Sequence, residues 1–183
     1  VGPRLIVKMA VQLGKILLYL RQFELDGGHR PIVHGDIKPS NLVWDEDNER
    51  LSLIDWGSSV YAQLDEHLQP VQNNVLDLMS GDIQQTNARL GDIYFIGDAQ
   101  LNGERSSPRF DEQGLAGTLY ALASGQSARF AHQVIPPSSL GLPKILSDIL
   151  TYMLSDSVPE QHNGGDYLLS HIKLLENLVF AND

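Results

Sequence analysis

Residues 32–57 constrain this chain more than any other stretch. Two apolar pieces, Leu42-Val43-Trp44 and Leu51-Ser52-Leu53-Ile54, flank Asp45-Glu46-Asp47-Asn48-Glu49, whose residue types favour a turn. Pairing the pieces as antiparallel strands brings Asn41 and Asp55 to the same end of a small hairpin. Asp36 and Lys38 lie on the loop that enters it. Four polar groups of complementary kinds then converge on one spot.

That convergence suits phosphoryl transfer, which depends on positioning and charge neutralisation more than on covalent participation by the protein. The carboxylate of Asp36 can accept the proton of an attacking hydroxyl. The ammonium of Lys38 can steady phosphoryl oxygens. Asp55 and Asn41 offer hard oxygen ligands suited to Mg²⁺, which is bound by few protein groups together with substrate phosphates.

The run His34-Gly35-Asp36-Ile37-Lys38-Pro39-Ser40-Asn41, followed by Asp55-Trp56-Gly57, resembles the catalytic and metal-binding loops of protein kinases, H-R-D-x-K-x-x-N and D-F-G. An acidic turn between two core strands would explain residues 45–49, but not His34, Asp36, Lys38, Asn41 and Asp55 together. The resemblance implies Asp36 as catalytic base, Lys38 as phosphate-side cation, and Asn41 and Asp55 as Mg²⁺ ligands. It gives Val43 the adenine floor of an ATP site and His34, Trp56 and Gly57 structural roles. Gly35 replaces the usual Arg, which in many kinases pairs with a phosphate on the activation segment. His34-Gly35-Asp36 also resembles small-molecule kinases of the aminoglycoside and choline type, whereas Lys38-Pro39 favours the serine/threonine protein-kinase branch. Trp56 keeps a large apolar side chain where Phe is usual, as in casein kinase two.

Composition excludes some functions. The 183 residues can form one domain with a real core. Thirteen basic against 23 acidic residues give a net charge of −10, which argues against nonspecific nucleic-acid binding. Cysteine is absent, so no disulfide framework or thiolate metal site is expected. No apolar run reaches the roughly 20 residues of a membrane span, and no secretory signal is visible. A soluble, cytoplasmic protein without membrane or nucleic-acid partners is expected.

Along the chain, Leu5, Met9, Leu13, Ile16, Leu17 and Leu20 recur at helical spacing and predict an amphipathic helix over 4–24, stopped by Asp26-Gly27-Gly28. In the family this is the buried helix before the catalytic loop. Residues 58–103 correspond to the activation segment, with an insertion expected around 63–89 and a short helical pattern at 71–79. Residues 91–101 resemble the end of that segment. The usual Thr is Asp92 there, and A-P-E is Gly97-Asp98-Ala99, so the normal docking floor for a peptide is altered. Residues 111–130 resemble the next helix, apolar nearly all round and therefore buried. The resemblance makes Asp111 a tether for backbone N–H groups near His34 and Gly35, whereas its residue type would equally suit a helix cap. A further helix is predicted over 142–154, a loop over 156–165, and a final helix over 167–180. No Arg follows Arg129, so both partners of a family ion pair, that Arg and the Glu of A-P-E, are absent together.

The expected fold is mainly α with a small β-hairpin: one protein-kinase-like large, C-terminal lobe over 1–183. Its parts are a catalytic loop at 32–44, a metal loop at 53–57, the long segment at 58–103 and a helical subdomain at 111–180. No sequence for the small ATP-binding lobe can be placed. A fragment of a longer kinase and a natural single-lobe relative both fit. In either case the face where the small lobe sits should be apolar, covered by that lobe or by a partner protein. Alone, the chain is expected to be inactive. Three functions follow. The first is Mg-ATP-dependent phosphorylation of a protein hydroxyl. The second is a pseudokinase-like interaction module without catalysis. The third is a small-molecule kinase.

Overall fold

The computed structural model describes residues 1–63, 95–126 and 134–181. The expected insertion at 63–89, the helical pattern at 71–79 and residues 91–94 lie, but for Gln63, outside them.

Helix α1 (Pro3–Arg21) buries Ile6, Met9, Ala10, Leu13, Leu17 and Leu20 along one face. It ends before the expected stop. Asp26 and Gly27, both at positive φ (54° and 78°), form the turn of a hairpin between β1 (Glu24–Leu25) and β2 (Gly28–His29). Two consecutive left-handed residues of the Asp-Gly type favour a two-residue hairpin turn over a helix stop. β3 (Ile32–Val33) follows and pairs antiparallel with β6 (Val60–Tyr61).

A single 3₁₀ turn, Pro39–Asn41, leads into β4 (Leu42–Asp45), which pairs antiparallel with β5 (Arg50–Leu53), Leu42 opposite Leu53 and Trp44 opposite Leu51. This is the hairpin expected from the sequence. Its turn is closed by Asp45, whose Oδ1 accepts from the N–H groups of Asp47 (3.1 Å) and Asn48 (3.2 Å). Gln12 fastens the hairpin to α1: its amide donates to Glu49 O (2.8 Å) and accepts from Leu51 N–H (2.8 Å). Glu49 pairs with Arg4 (2.9 Å) and with Lys8. Hydrogen bonds from Arg4 and Lys8 hold its carboxyl down at about 2.

α2 (Asp98–Leu101) is one short turn of helix. α3 (Pro108–Ser124) starts earlier than predicted, at Pro108, and stops at Gly125 in the left-handed conformation (φ 75°). Its N-cap is Ser107, whose side chain accepts from Arg109 N–H (3.2 Å), so Asp111 is not the cap. α3 is buried over most of its length, as its apolar pattern predicts.

After the 3₁₀ turn Pro137–Ser139 come α4 (Lys144–Met153), α5 (Val158–Ser170) and α6 (Ile172–Ala181). The predicted loop at 156–165 is thus mostly helix. Ser157 caps α5 by accepting from Glu160 N–H (3.4 Å), with Pro159 in the first turn. Gly164 and Gly165, within the predicted loop, lie inside the helix at places where its backbone passes close to neighbouring groups. A Cβ on Gly164 would stand 2.8 Å from Met153 Cγ, and one on Gly165 would collide with the Glu112 carboxylate unless that side chain moved. The predicted last helix is divided at His171 between α5 and α6. One apolar core joins α1, α3, α4, α5 and α6 with Leu51 and Leu53 of the hairpin. Among the described residues no helix is long and apolar enough to cross a membrane.

Candidate phosphotransfer site

The site sits on the loop between β3 and β4 and at the open end of the β4–β5 hairpin. Asn41, in the 3₁₀ turn, is 5% exposed, and its Nδ2 donates to both Asp36 O (2.8 Å) and Asp36 Oδ2 (3.1 Å). Lys38 Nζ lies 3.8 Å from the same Oδ2. The N–H of Ile54 donates to Asn41 O (2.9 Å), which ties the residue before Asp55 to the loop carrying Asp36. Asp55 takes a left-handed backbone (φ 58°), which Asp tolerates better than most side chains and which is found at functional positions.

His34 is wholly buried and organises the loop. Its Nδ1 accepts from Asp36 N–H (3.1 Å), so Nε2 carries the proton and donates to Ile54 O (2.9 Å). Burial pushes the imidazole below its ordinary value, against the bond to Ile54 and the charges of Asp36 and Asp55. The ring of Trp56 meets that of His34 edge-on at 4.7 Å, and its indole N–H donates to Leu53 O (3.0 Å). Val43, the expected adenine floor, is half exposed. At Gly57 a Cβ would come within 3.5 Å of Asp55 Oδ1, so the backbone passes close to that carboxylate.

Asp111 reaches the loop from α3. Its Oδ2 accepts from His34 N–H (2.7 Å) and its Oδ1 from Gly35 N–H (2.9 Å). Burial drives its carboxyl up to about 7, against the two backbone N–H groups. The structure therefore gathers Asp36, Lys38 and Asn41 in direct contact. His34, Trp56 and Asp111 lie behind them, and Asp55 adjoins them through the Ile54–Asn41 bond.

Gln100 and Arg109 are not singled out by the sequence. Gln100 is buried and donates to Gly35 O (2.7 Å). Arg109 donates to Glu112 Oε1 (2.9 Å), Asp166 Oδ1 (2.8 Å) and His162 O (3.2 Å). Glu112 is buried at the centre of this cluster, while Arg109 and Asp166 are partly exposed. The only sequence signal for it is a charged Arg-x-x-Glu spacing opening an otherwise apolar helix.

A loop that presents a carboxylate, a lysine and an asparagine thus stands ahead of a two-stranded hairpin and is backed by a buried helix. The sequence pattern of the phosphotransferase enzyme family (APH) matches residues 9–65. The structure of the Cydia pomonella granulovirus kinase PK-1 superposes with a TM-score of 0.62 at 17% identity, covering 91% of this chain. The chain spans 57% of the length of that kinase. No curated protein sequence matches the chain. The fold is that of the protein kinase-like superfamily.

Proposed function

We propose that the chain is the large, catalytic lobe of a serine/threonine protein-kinase-like phosphotransferase. The observation that carries this reading is the cluster at Asp36, with Asn41 Nδ2 at 3.1 Å and Lys38 Nζ at 3.8 Å from one carboxylate oxygen. Asp36 accepts the proton of the acceptor hydroxyl as its oxygen bonds to the γ-phosphorus of ATP and the bond to the β-phosphate oxygen breaks. Lys38, beside it, faces the charge of the transferring group. With its Nδ2 engaged by Asp36, Asn41 has its Oδ1 to offer a cation, and Asp55 supplies a carboxylate at the same end of the hairpin. This donor set fits Mg²⁺, which accepts few protein oxygens and keeps the rest of its shell for phosphate and water. Magnesium would neutralise the β- and γ-phosphate charge.

The reading includes a small lobe, or a protein taking its place, over the nucleotide. A groove of about 490 Å³ lined by Ile16, Tyr19, Leu20, Leu53 and Trp56, with Lys15 and Ser52, supports this. Tyr19 and Trp56 leave apolar surface exposed there.

The test is γ-phosphoryl transfer from ATP by the intact protein. Asp36→Asn should reduce kcat by about 10²–10⁴-fold, the usual contribution of a positioned base, without altering the melting temperature. Unchanged transfer removes Asp36 from that role. Mg-ATP should raise the melting temperature of the intact protein at saturation. Absence of any rise favours a pseudokinase-like interaction module. A second reading, a small hydroxyl compound as acceptor, is supported by His34-Gly35-Asp36 and by the match to the phosphotransferase enzyme family over 9–65. Assaying aminoglycosides and sugars beside generic protein substrates separates the two acceptors.

A further inference from the structure

We propose that Gln100 is a positioning residue for Asp36: it holds the Gly35–Asp36 peptide in the plane that aims the carboxylate, so that α2 and the candidate base move together. This rests on the reading of Asp36 as proton acceptor.

The geometry has three parts. Gln100 is 2% exposed, and its Nε2 donates to Gly35 O at 2.7 Å. That carbonyl shares a peptide unit with Asp36 N–H, which donates to His34 Nδ1 at 3.1 Å. The N–H of the preceding peptide, at Gly35, donates to Asp111 Oδ1 at 2.9 Å. A peptide unit is planar, so fixing its C=O and its N–H together fixes the direction in which the next Cα leaves it. That Cα carries the Asp36 side chain.

Gly35 makes the anchors necessary. It sits at φ 87°, a region open to Gly because there is no Cβ to restrict it. The same absence of a Cβ leaves the peptide on either side free to swing. Side chains from elsewhere must then set its plane. His34 and Asp111 supply two of these contacts from the loop itself and from α3. Gln100 supplies its contact from α2, whose N-cap, Gly97, is pressed so close to α3 that a Cβ there would meet Gln113 Cγ at 3.0 Å. A displacement of α2 therefore acts on the peptide next to the base. A buried primary amide would be a poor choice for packing alone, since it requires partners that a Leu would not.

The experiment compares wild type, Gln100→Met and Gln100→Glu in the intact protein, by amide hydrogen exchange and by steady-state phosphoryl transfer. Met keeps the length and removes the donor. Exchange at the Asp36 amide should accelerate about tenfold, the effect of one net hydrogen bond. Amides in the middle of α1, such as Leu13, should not change. The kcat should fall by a similar factor while KM for ATP stays within about twofold, because the loss falls on the base and not on nucleotide binding. Glu places a carboxylate against the carbonyl at neutral pH and an O–H donor once protonated. Its Asp36 exchange and its kcat, each taken relative to wild type at the same pH, should recover as the pH is lowered. Unchanged exchange at Asp36 in both variants overturns the proposal. So does acceleration of equal size at Asp36 and in α1, which would mark Gln100 as a packing residue only. If wild type transfers phosphate to no acceptor, the reading of Asp36 as a base fails by itself. The exchange data still decide whether Gln100 holds the peptide.

Discussion

Neighbouring carboxylates on α3 treat burial in two ways. Asp111 turns to the loop and is held by two backbone N–H groups, those of His34 and Gly35. Glu112 turns to α5 and is held by a side chain, Arg109, which also grips Asp166. Burial pushes both carboxyls up, and only Glu112 has a cation to oppose it. The difference lies in what could replace each. An ion pair between two side chains can give way to two apolar residues of similar volume, often without loss. A carboxylate bonded to the main chain cannot, because its partners remain whatever is substituted. The loop face of α3 is therefore bound to its residue type by the backbone it holds, and the α5 face by packing.

The sharpest way to break this comparison is Asp111→Ala. It strands two buried N–H groups at about 1–3 kcal/mol each, so urea unfolding should show a loss of roughly 2–6 kcal/mol. A loss under about 1 kcal/mol would mean that the loop does not depend on the tether. On the other face, Arg109→Met alone leaves Glu112 buried without its cation. It should cost about 3 kcal/mol, the low end for a broken buried pair because Arg109 is partly exposed. The double variant Arg109→Met/Glu112→Leu should return to within about 1 kcal/mol of wild type in the same melts. If it is as unstable as the single variant, the two faces do not differ in the way argued.

The pH dependence sharpens the contrast. Asp111 is raised from 3.8 to about 7, so the folded state holds its proton more tightly than the unfolded chain. The stability this contributes is complete below about 4 and is lost as pH rises through about 7. Between pH 5 and 7 the loss should be about 2 kcal/mol. His34 works the other way, because burial keeps it neutral while the unfolded imidazole titrates at 6.5, so its stability is lost as pH falls below that value. Measuring wild type against Asp111→Asn at each pH cancels the His34 effect. A difference that stays constant from pH 5 to 7 would show that Asp111 is not the titrating group. The smallest expected effect is at Gly114, where a Cβ would meet Ile37 Cβ at 2.9 Å and Ile37 O at 3.0 Å. Overpacking of roughly 1–3 kcal/mol, offset by about 1 kcal/mol of helix propensity, predicts a net loss of about 1 kcal/mol for Gly114→Ala. Faster Asp36 exchange in that variant would locate the damage in the loop.

The candidate site was legible because its signals are local. Asp36, Lys38 and Asn41 lie within one loop, and the alternating strands around the Asp45–Glu49 turn announce a hairpin by their own pattern and turn residues. α1 was legible from its apolar spacing. The Asp26-Gly27 turn was also local, but it lay in a stretch where a glycine helix stop competes with a hairpin, and only the pairing of Glu24 with His29 separates them.

By itself, then, the sequence determined which polar groups could meet at the hairpin end and that the helix carrying Asp111 would be buried, because each depends on periodicity or on neighbours a few residues away; that this helix stands behind the loop is a contact across 76 and 77 residues, which the resemblance alone implied. Tertiary structure decided the rest. Gly164 and Gly165 read as a loop, yet they lie within a helix whose backbone passes close to Tyr152, Met153 and the Glu112 side chain, and that close approach favours glycine there. Gln100 lies 65 residues from the carbonyl it holds, and Arg109 lies 57 from Asp166. Contacts over such distances leave no periodic trace in the chain, since a buried side chain is chosen by what packs against it and not by what adjoins it in sequence.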